Sequence, residues 1–409
     1  MTTLIWISTS LAALALALTA VNLLLWPRGR AGRGPVARLR PGGDLVRVSV
    51  LIPARNEGRN LDATLTAIAA SRIRPDEVLV YNDASTDDTG AILERWAARM
   101  PELRIMNGDG LPSGWVGKPH ACHRLGCAAT GDVLLFVDAD THLDPDGIER
   151  VLDIMDSHRA ALVTAVPHQR TGSWLEHLVV PLLHVTYTSW LLLPLIWWSR
   201  DPRFLAANGQ VLAMTRAAWA RTGGYESVRL EVVDDMAICR RAKEVGLRVV
   251  FADGDRIASC RMYRSSREVV DGFSKNLHEG LGGSAAALVL VILLYALAFV
   301  VPWVALAAGL LAGAAWWPVA AAGVVMNAAQ RGALALRMRH DPRAVLGHPV
   351  GVVALLAIAI NSWRWSRADR IVWAGRTYAA RARRGTALPD EPPSGAPAPA
   401  QGATPETGR

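Results

Sequence analysis

Cysteine is scarce: four in 409 residues, Cys122, Cys127, Cys239 and Cys260, all in the middle of the chain. If this part is cytoplasmic the thiols are reduced, and no disulfide framework is implied. His120 and His123 crowd two of them, but the spacing fits no usual zinc pattern, and on a helix the four would not share a face; ordinary packing is the expectation. A Gly-x-Gly-x-x-Gly turn is missing after the first strand, which disfavours a dinucleotide oxidoreductase. Charge is missing from Ser284 to Ala329, whereas a coupled transport pathway would carry ionisable groups. The N-terminus lacks the basic region of a cleaved signal, and no internal repeat occurs.

What is abundant is apolar. Hydrophobic residues make up 51% and mean hydropathy is +0.20, which points to a folded domain with membrane segments attached. The formal charge of +8 could suggest nucleic acid, but its placement argues otherwise. Arg28, Arg30, Arg33, Arg38 and Arg40 directly follow the apolar run Thr3–Trp26, as the positive-inside rule and anionic lipid head groups favour. The expectation is an uncleaved anchor in the inner membrane, a multi-pass chain with its main domain in the cytoplasm, and no nucleic-acid partner. Its divisions are an anchor (1–27), a basic linker (28–45), an α/β domain (46–282), two spanning helices (283–329), and a region of basic loop and short apolar run (330–380). A Pro-, Gly- and Ala-rich tail (386–409) is expected to be disordered. Leu175–Trp198 is long enough to be mistaken for a crossing. A crossing there would separate two acidic pairs that belong together, so it is read as an interfacial segment, which Trp190, Trp197 and Trp198 suit. Gly347–Asn361 is short for a span and reads as re-entrant or interfacial, a true crossing staying open.

Within 46–282, strands at Arg47–Ala54, Glu77–Tyr81, Leu103–Met106, Val133–Val137, Ala161–Pro167 and Leu247–Ala252 alternate with amphipathic helices. This predicts an α/β fold, a mostly parallel sheet with helices on both faces. Val133–Val137 ends in Asp138 and Asp140, at the strand terminus where such sheets bind ligands. Two carboxylates there can hold a divalent cation, and through it a diphosphate. The residues after them read as a turn, with Asp144 capping a helix that opens at Pro145. Lys118 sits in a glycine-bearing loop and can meet a phosphate as a point charge. Asp234-Asp235 opens another helix, where acids are favoured by the helix dipole alone.

Taken together and in order, Ser49-Val50-Leu51-Ile52-Pro53-Ala54-Arg55-Asn56-Glu57, Asn82-Asp83-Ala84-Ser85-Thr86-Asp87-Asp88-Thr89, Asp138-Ala139-Asp140 and Asp234-Asp235 resemble the motifs of family-2 inverting glycosyltransferases with the GT-A (Rossmann-like) fold. Gly114-Trp115, Gly117-Lys118, Met262-Tyr263, Gly272-Phe273-Ser274-Lys275-Asn276 and Trp373-Ala374-Gly375-Arg376-Thr377-Tyr378 resemble the membrane-bound branch that glycosylates isoprenoid lipids, including carotenoid- and hopanoid-associated enzymes. Asp234 stands where that family usually has Glu, and Ala374 where it usually has Lys; no Gln-x-x-Arg-Trp occurs, against a processive synthase.

The resemblance implies a nucleotide-sugar donor, with a UDP-sugar favoured, and a membrane lipid acceptor. It implies that Pro53, Arg55, Glu57 and Asp83 hold base and ribose, and that Lys118 meets donor phosphate or nucleotide. Asp138 would contact the nucleotide and, with Asp140, Mg²⁺ or Mn²⁺; Asp235 would be the general base with Asp234 beside it. Arg261, Arg264, Trp373 and Arg376 would lie on the acceptor side. The alternatives are transfer to polyprenyl phosphate, a glycerolipid or a sphingolipid, or a non-catalytic membrane scaffold.

Overall fold

The computed structural model describes residues 1–32, 45–368, 371–373 and 376–378. Arg33, Arg38, Arg40, Arg370 and the tail from Thr386 lie outside the described residues.

A first helix, α1 (Thr2–Leu25), precedes the sheet domain. The opening strands are apolar at nearly every position because each is covered on both faces. β1 (Val48–Ala54), β2 (Glu77–Asn82) and β3 (Leu103–Asn107) are linked by α2 (Leu61–Ala69) and α3 (Thr89–Ala97); α4 (Gly117–Ala128) then leads to β4 (Val133–Val137). β5 (Thr141–Leu143), α5 (Gly147–Ser157) and β6 (Leu162–Gln169) follow. After three short helices come β7 (Val211–Thr215), α9 (Arg216–Thr222), α10 (Asp234–Glu244) and β8 (Val249–Cys260).

The eight strands form one sheet in the order β3-β2-β1-β4-β7-β6-β8-β5. Four neighbouring pairs are parallel and three, β4–β7, β7–β6 and β8–β5, are antiparallel. The parallel block β3-β2-β1-β4 ends along one edge, and the loops leaving β1, β2 and β4 converge there. Buried Glu77 locks this block: Ser49 Oγ donates to its Oε1 at 2.6 Å, Thr130 donates through both N–H and Oγ1, and Gly131 N–H donates to Ser49 Oγ at 2.8 Å. These donors outweigh burial and hold the Glu77 carboxyl below its ordinary value.

The stretch after Asp140 departs from the expected turn. Thr141–Leu143 is a strand paired antiparallel with β8, and α5 opens after Asp146, not at Pro145. The backbone is still bound to β8 at Asp144, whose N–H donates to Ile257 O at 2.9 Å, so the helix cannot begin there.

Leu175–Trp198 is broken into α6 (Trp174–Val179), α7 (Leu182–Trp190) and α8 (Pro194–Trp198). Pro181 and Pro194 remove the donors a continuous helix needs. Trp190 packs inward against Phe299 at 5.7 Å between ring centroids, whereas Trp198 is 65% exposed.

Among the described residues, three helices are long and apolar enough to cross a membrane: α1, Ala285–Leu311 and Trp317–Met338. The second comprises α12 (Ala285–Tyr295), a π-helical turn and α13 (Val301–Leu311); the third is α14. α14 continues past the expected boundary at Ala329, so Arg331 is not in a basic loop. It is fully buried, and its guanidinium donates to Pro181 O and Ala344 O, at 3.4 and 3.1 Å. α15 (Arg343–Leu346) leads to α16 (His348–Arg367), which packs on α6 and on α11 (Ser266–Gly280). Gly351 permits this approach, since a Cβ there would fall 2.6 Å from Leu178 O. The helices are tied to the sheet at β8: Arg28, just after α1, and Arg337, near the end of α14, both pair with Asp253, at 2.6 and 3.0 Å, and Arg339 pairs with Asp255 at 2.9 Å.

Candidate active site

The loop after β1 is held by the loop after β2. Asn56 takes a left-handed conformation (φ 57°), which Asn tolerates, and its Oδ1 accepts from Thr86 N–H at 2.8 Å. Glu57 N–H donates to Thr89 Oγ1 and Gly58 N–H to Asp87 Oδ2, at 2.8 and 2.9 Å. Arg55 donates to Asp83 O at 2.6 Å, which fixes its guanidinium beside the buried Asp83. These loops, with the amino end of α4 and the end of β4, line one cavity of about 210 Å³. Pro53, Arg55, Glu57, Asp83, Lys118, Asp138 and Asp140 all face it. The first turn of α4 contributes Gly117 and Lys118, and a helix amino terminus favours bound anions.

The charges in the cavity are strongly coupled. Lys118 Nζ lies 2.7 Å from Asp138 Oδ1. Burial alone would lower the lysine, but Asp138 and Asp234 hold its ammonium well above the ordinary value. Burial and the charge of Asp138 push the Asp140 carboxyl up to about 6. Burial pushes Glu57 up to about 7, with Asp140 and Asp138 adding to the rise and an Asn60 hydrogen bond opposing it. Negative charge at the Asp138–Asp140 pair is therefore undercompensated by Lys118 alone. Hard carboxylate oxygens in that state fit a divalent cation. Among the described residues no group of three or more His, Cys, Asp or Glu is arranged to hold a metal. A cation on this pair would complete its shell with donor oxygens and water.

Asp234 and Asp235 stand at the amino end of α10, beyond Lys118. Asp235 Oδ1 accepts from Met236 N–H at 2.8 Å. Burial raises its carboxyl, with Lys118 opposing. Asp234 is 6% exposed, and burial and Asp235 push it up to about 7 despite Lys118. Gly209 lies between the two groups: a Cβ there would sit 3.1 Å from Lys118 Nζ and 3.6 Å from Asp235 Oδ2.

The four acceptor-side candidates lie on two segments of the chain, the loop after β8 and the last two strands. Arg261 is engaged with buried Glu176, Nε to Oε2 at 3.2 Å, and so ties the end of β8 to the cap of α6. Arg264 reaches the cavity rim and donates to Asn60 Oδ1 at 2.8 Å, while Asn60 in turn donates to Glu57. Trp373 and Arg376 pair across a separate two-stranded hairpin, β9 (Ile371–Trp373) and β10 (Arg376–Tyr378). Sequence reasoning passed over Gly209, Gln210 and Cys260. Only Gly209, inside the small polar run Asn208-Gly209-Gln210, carried a local signal.

A sheet whose parallel strand ends carry these loops, an Asp-x-Asp pair and a helix amino terminus defines the GT-A class of nucleotide-sugar folds. The profile described as "Glycosyltransferase like family 2" matches residues 46–271, more than half of the chain, and the chain belongs to that family. The 4,4'-diaponeurosporenoate glycosyltransferase of Staphylococcus aureus is 26% identical over 251 residues, 61% of this chain and 65% of that protein. The chain thus spans about 65% of the length of the curated relatives it matches. Among solved structures, the mannosyltransferase PcManGT from Pyrobaculum calidifontis, in complex with GDP-Man and Mn²⁺, shares the fold at a TM-score of 0.51 and 19% identity, covering 89% of this chain and 99% of that one.

Proposed function

We propose that this protein transfers a sugar from a nucleotide-sugar donor to a membrane isoprenoid lipid of carotenoid or hopanoid type, with inversion at the anomeric carbon. The observation that carries this reading is the single cavity faced by Arg55, Asp83, Lys118, Asp138 and Asp140, with Asp235 across Gly209 from Lys118. Support for the acceptor class comes from the staphylococcal relative, whose name gives a carotenoid acid as acceptor.

Pro53, Arg55, Glu57 and Asp83 hold the base and ribose, which removes the entropy of placing the donor from the transfer step. Asp138 and Asp140 would hold Mg²⁺ or Mn²⁺, which when bound supplies Lewis-acid neutralisation of the leaving diphosphate. Lys118 and the amino terminus of α4 add fixed positive charge on the same side. Asp235 Oδ2 takes the proton of the acceptor hydroxyl as its oxygen bonds to the anomeric carbon and the carbon–phosphate oxygen bond breaks. Burial, with Asp138 adding to it, keeps Asp235 basic, and Asp234 stands beside it at the start of α10. Arg264 stands at the rim where an acceptor head group would enter.

The pairing of Arg28 and Arg337 with one carboxylate, Asp253, puts the carboxyl ends of α1 and α14 on the same side as the sheet. With the arginine pattern, that supports a multi-pass inner-membrane protein with a cytoplasmic site, which a lipid acceptor reaches without leaving the bilayer. The test is full-length protein in detergent with Mg²⁺ or Mn²⁺, a panel of UDP- and GDP-sugars and a membrane lipid extract. Lipid-dependent nucleotide release and a glycolipid product are expected. Absence of both donor binding and release would overturn the proposal and favour a scaffold.

A further inference from the structure

Behind Asp140 runs a line of buried polar groups that the mechanism above leaves without a role. Gln169 ends β6, Gln210 precedes β7 and Cys260 ends β8; they are 4%, 5% and 0% exposed. Gln169 Nε2 donates to Gln210 Oε1 at 2.9 Å, and Gln210 Nε2 donates to Cys260 Sγ at 2.9 Å. Cys260 is the cross-strand partner of Thr141, the residue after Asp140, and Thr141 Oγ1 donates to Asp140 Oδ1 at 3.2 Å, so the end of β8 is tied to the second acid through Thr141. The other acid is reached by the same residue, because Gln210 O accepts from Asp138 N–H at 3.2 Å.

Two amides and a thiol in a sheet interior are costly where valine or leucine would pack as well. Gln210 thus holds both sides of the pair, its carbonyl on the Asp138 N–H and its side chain on the strand end that pairs beside Asp140. We propose that Gln210, acting through Cys260, fixes the orientation of the Asp138–Asp140 pair and thereby sets its affinity for a divalent cation. These are positioning residues, and the inference rests on the reading of that pair as a cation site.

The test is Mn²⁺ titration of purified full-length protein with UDP and, separately, with GDP, following free Mn²⁺ by electron paramagnetic resonance. Cys260→Ala and Gln210→Met are each expected to weaken Mn²⁺ binding by roughly 10- to 100-fold, as loss of groups that orient metal ligands does. Cys260→Ser keeps an acceptor for the Gln210 amide and is expected to stay within about threefold, the same scale taken as no loss. Melting curves without metal monitor folding. If Cys260→Ala fails to fold, the nearly isosteric Gln210→Met decides. Equal binding by wild type, Cys260→Ala and Gln210→Met overturns the inference and leaves the site reading intact. Equal loss in the Ser and Ala variants also overturns it, since packing and not the hydrogen bond from Gln210 would then matter. No Mn²⁺ binding by the wild type with either nucleotide overturns the site reading itself.

Discussion

Gly209→Ala separates catalytic geometry from stability. The new Cβ would stand 3.1 Å from Lys118 Nζ, 3.3 Å from Asp235 Cβ and 3.6 Å from Asp235 Oδ2. Gly209 is not in the left-handed region, so alanine is sterically allowed for the backbone. The restricted unfolded chain then contributes about 0.4–1 kcal/mol in its favour. Two contacts are tight, with the flexible end of Lys118 and with Asp235 Cβ, and each needs to give by only a few tenths of an ångström. Stability should therefore change by under about 1 kcal/mol, a shift of roughly 2–4 °C at most for a domain of this size. Activity should respond differently, because under the proposed function the methyl would fill the gap between Asp235 and Lys118 that the acceptor oxygen has to enter. A misplacement of about 1 Å costs on the order of 100-fold, or about 2.7 kcal/mol of barrier. The assay is nucleotide release with lipid extract, alongside calorimetric donor binding and a melting curve. The expected result is kcat/KM down about 100-fold with donor affinity within threefold. Unchanged kcat/KM in a folded variant would falsify the assignment of this gap to the reacting atoms.

Further expectations concern charge. Asp235→Asn should lower kcat by roughly 10²- to 10⁴-fold while retaining donor binding. Burial raises the Asp235 carboxyl, and a base works only when deprotonated, so wild-type kcat/KM should fall as pH drops through that raised value; an acid limb persisting in the Asn variant would refute the role. Chelation should abolish release and Mn²⁺ restore it, whereas Asp140→Ala should stay inactive at any Mn²⁺ concentration; unaltered metal dependence in that variant would sink the assignment. Glu77→Gln should cost about 2 kcal/mol, the scale of hydrogen bonds to a buried charge. Its folded pKa is depressed, so the stabilisation is present above the ordinary value of 4.5 and lost as pH falls through the folded one. Equal melting points for wild type and Glu77→Gln at pH 7 would contradict this account.

Much of the site was legible in one dimension. A parallel strand buried on both faces is written as an unbroken apolar run, and its loop follows directly, so Pro53–Glu57, Asp83 and Asp138–Asp140 could be assigned to strand ends before any contact was known. The apolar helices were legible for the same reason, because crossing a bilayer needs a long uncharged run. The boundary at Ala329 was misplaced because Arg331 reads as a loop residue unless one knows that two carbonyls meet it inside the helix. β5 was missed because its three residues are held by pairing with β8, far along the chain, and not by their own pattern.

The sequence by itself therefore determined the long buried strands, the apolar helices long enough to span a bilayer and the acids that follow β2 and β4, because these follow from local periodicity and composition. Only the tertiary structure decided that β7 enters antiparallel between β4 and β6, that Asp253 ties α1 and α14 to the sheet, that Gly209 separates Lys118 from Asp235, and that Gln169, Gln210 and Cys260 link up where β8 pairs beside Asp140. Each depends on the register between segments distant in sequence, and register is set by packing on both faces of the sheet, which no single stretch of the chain encodes.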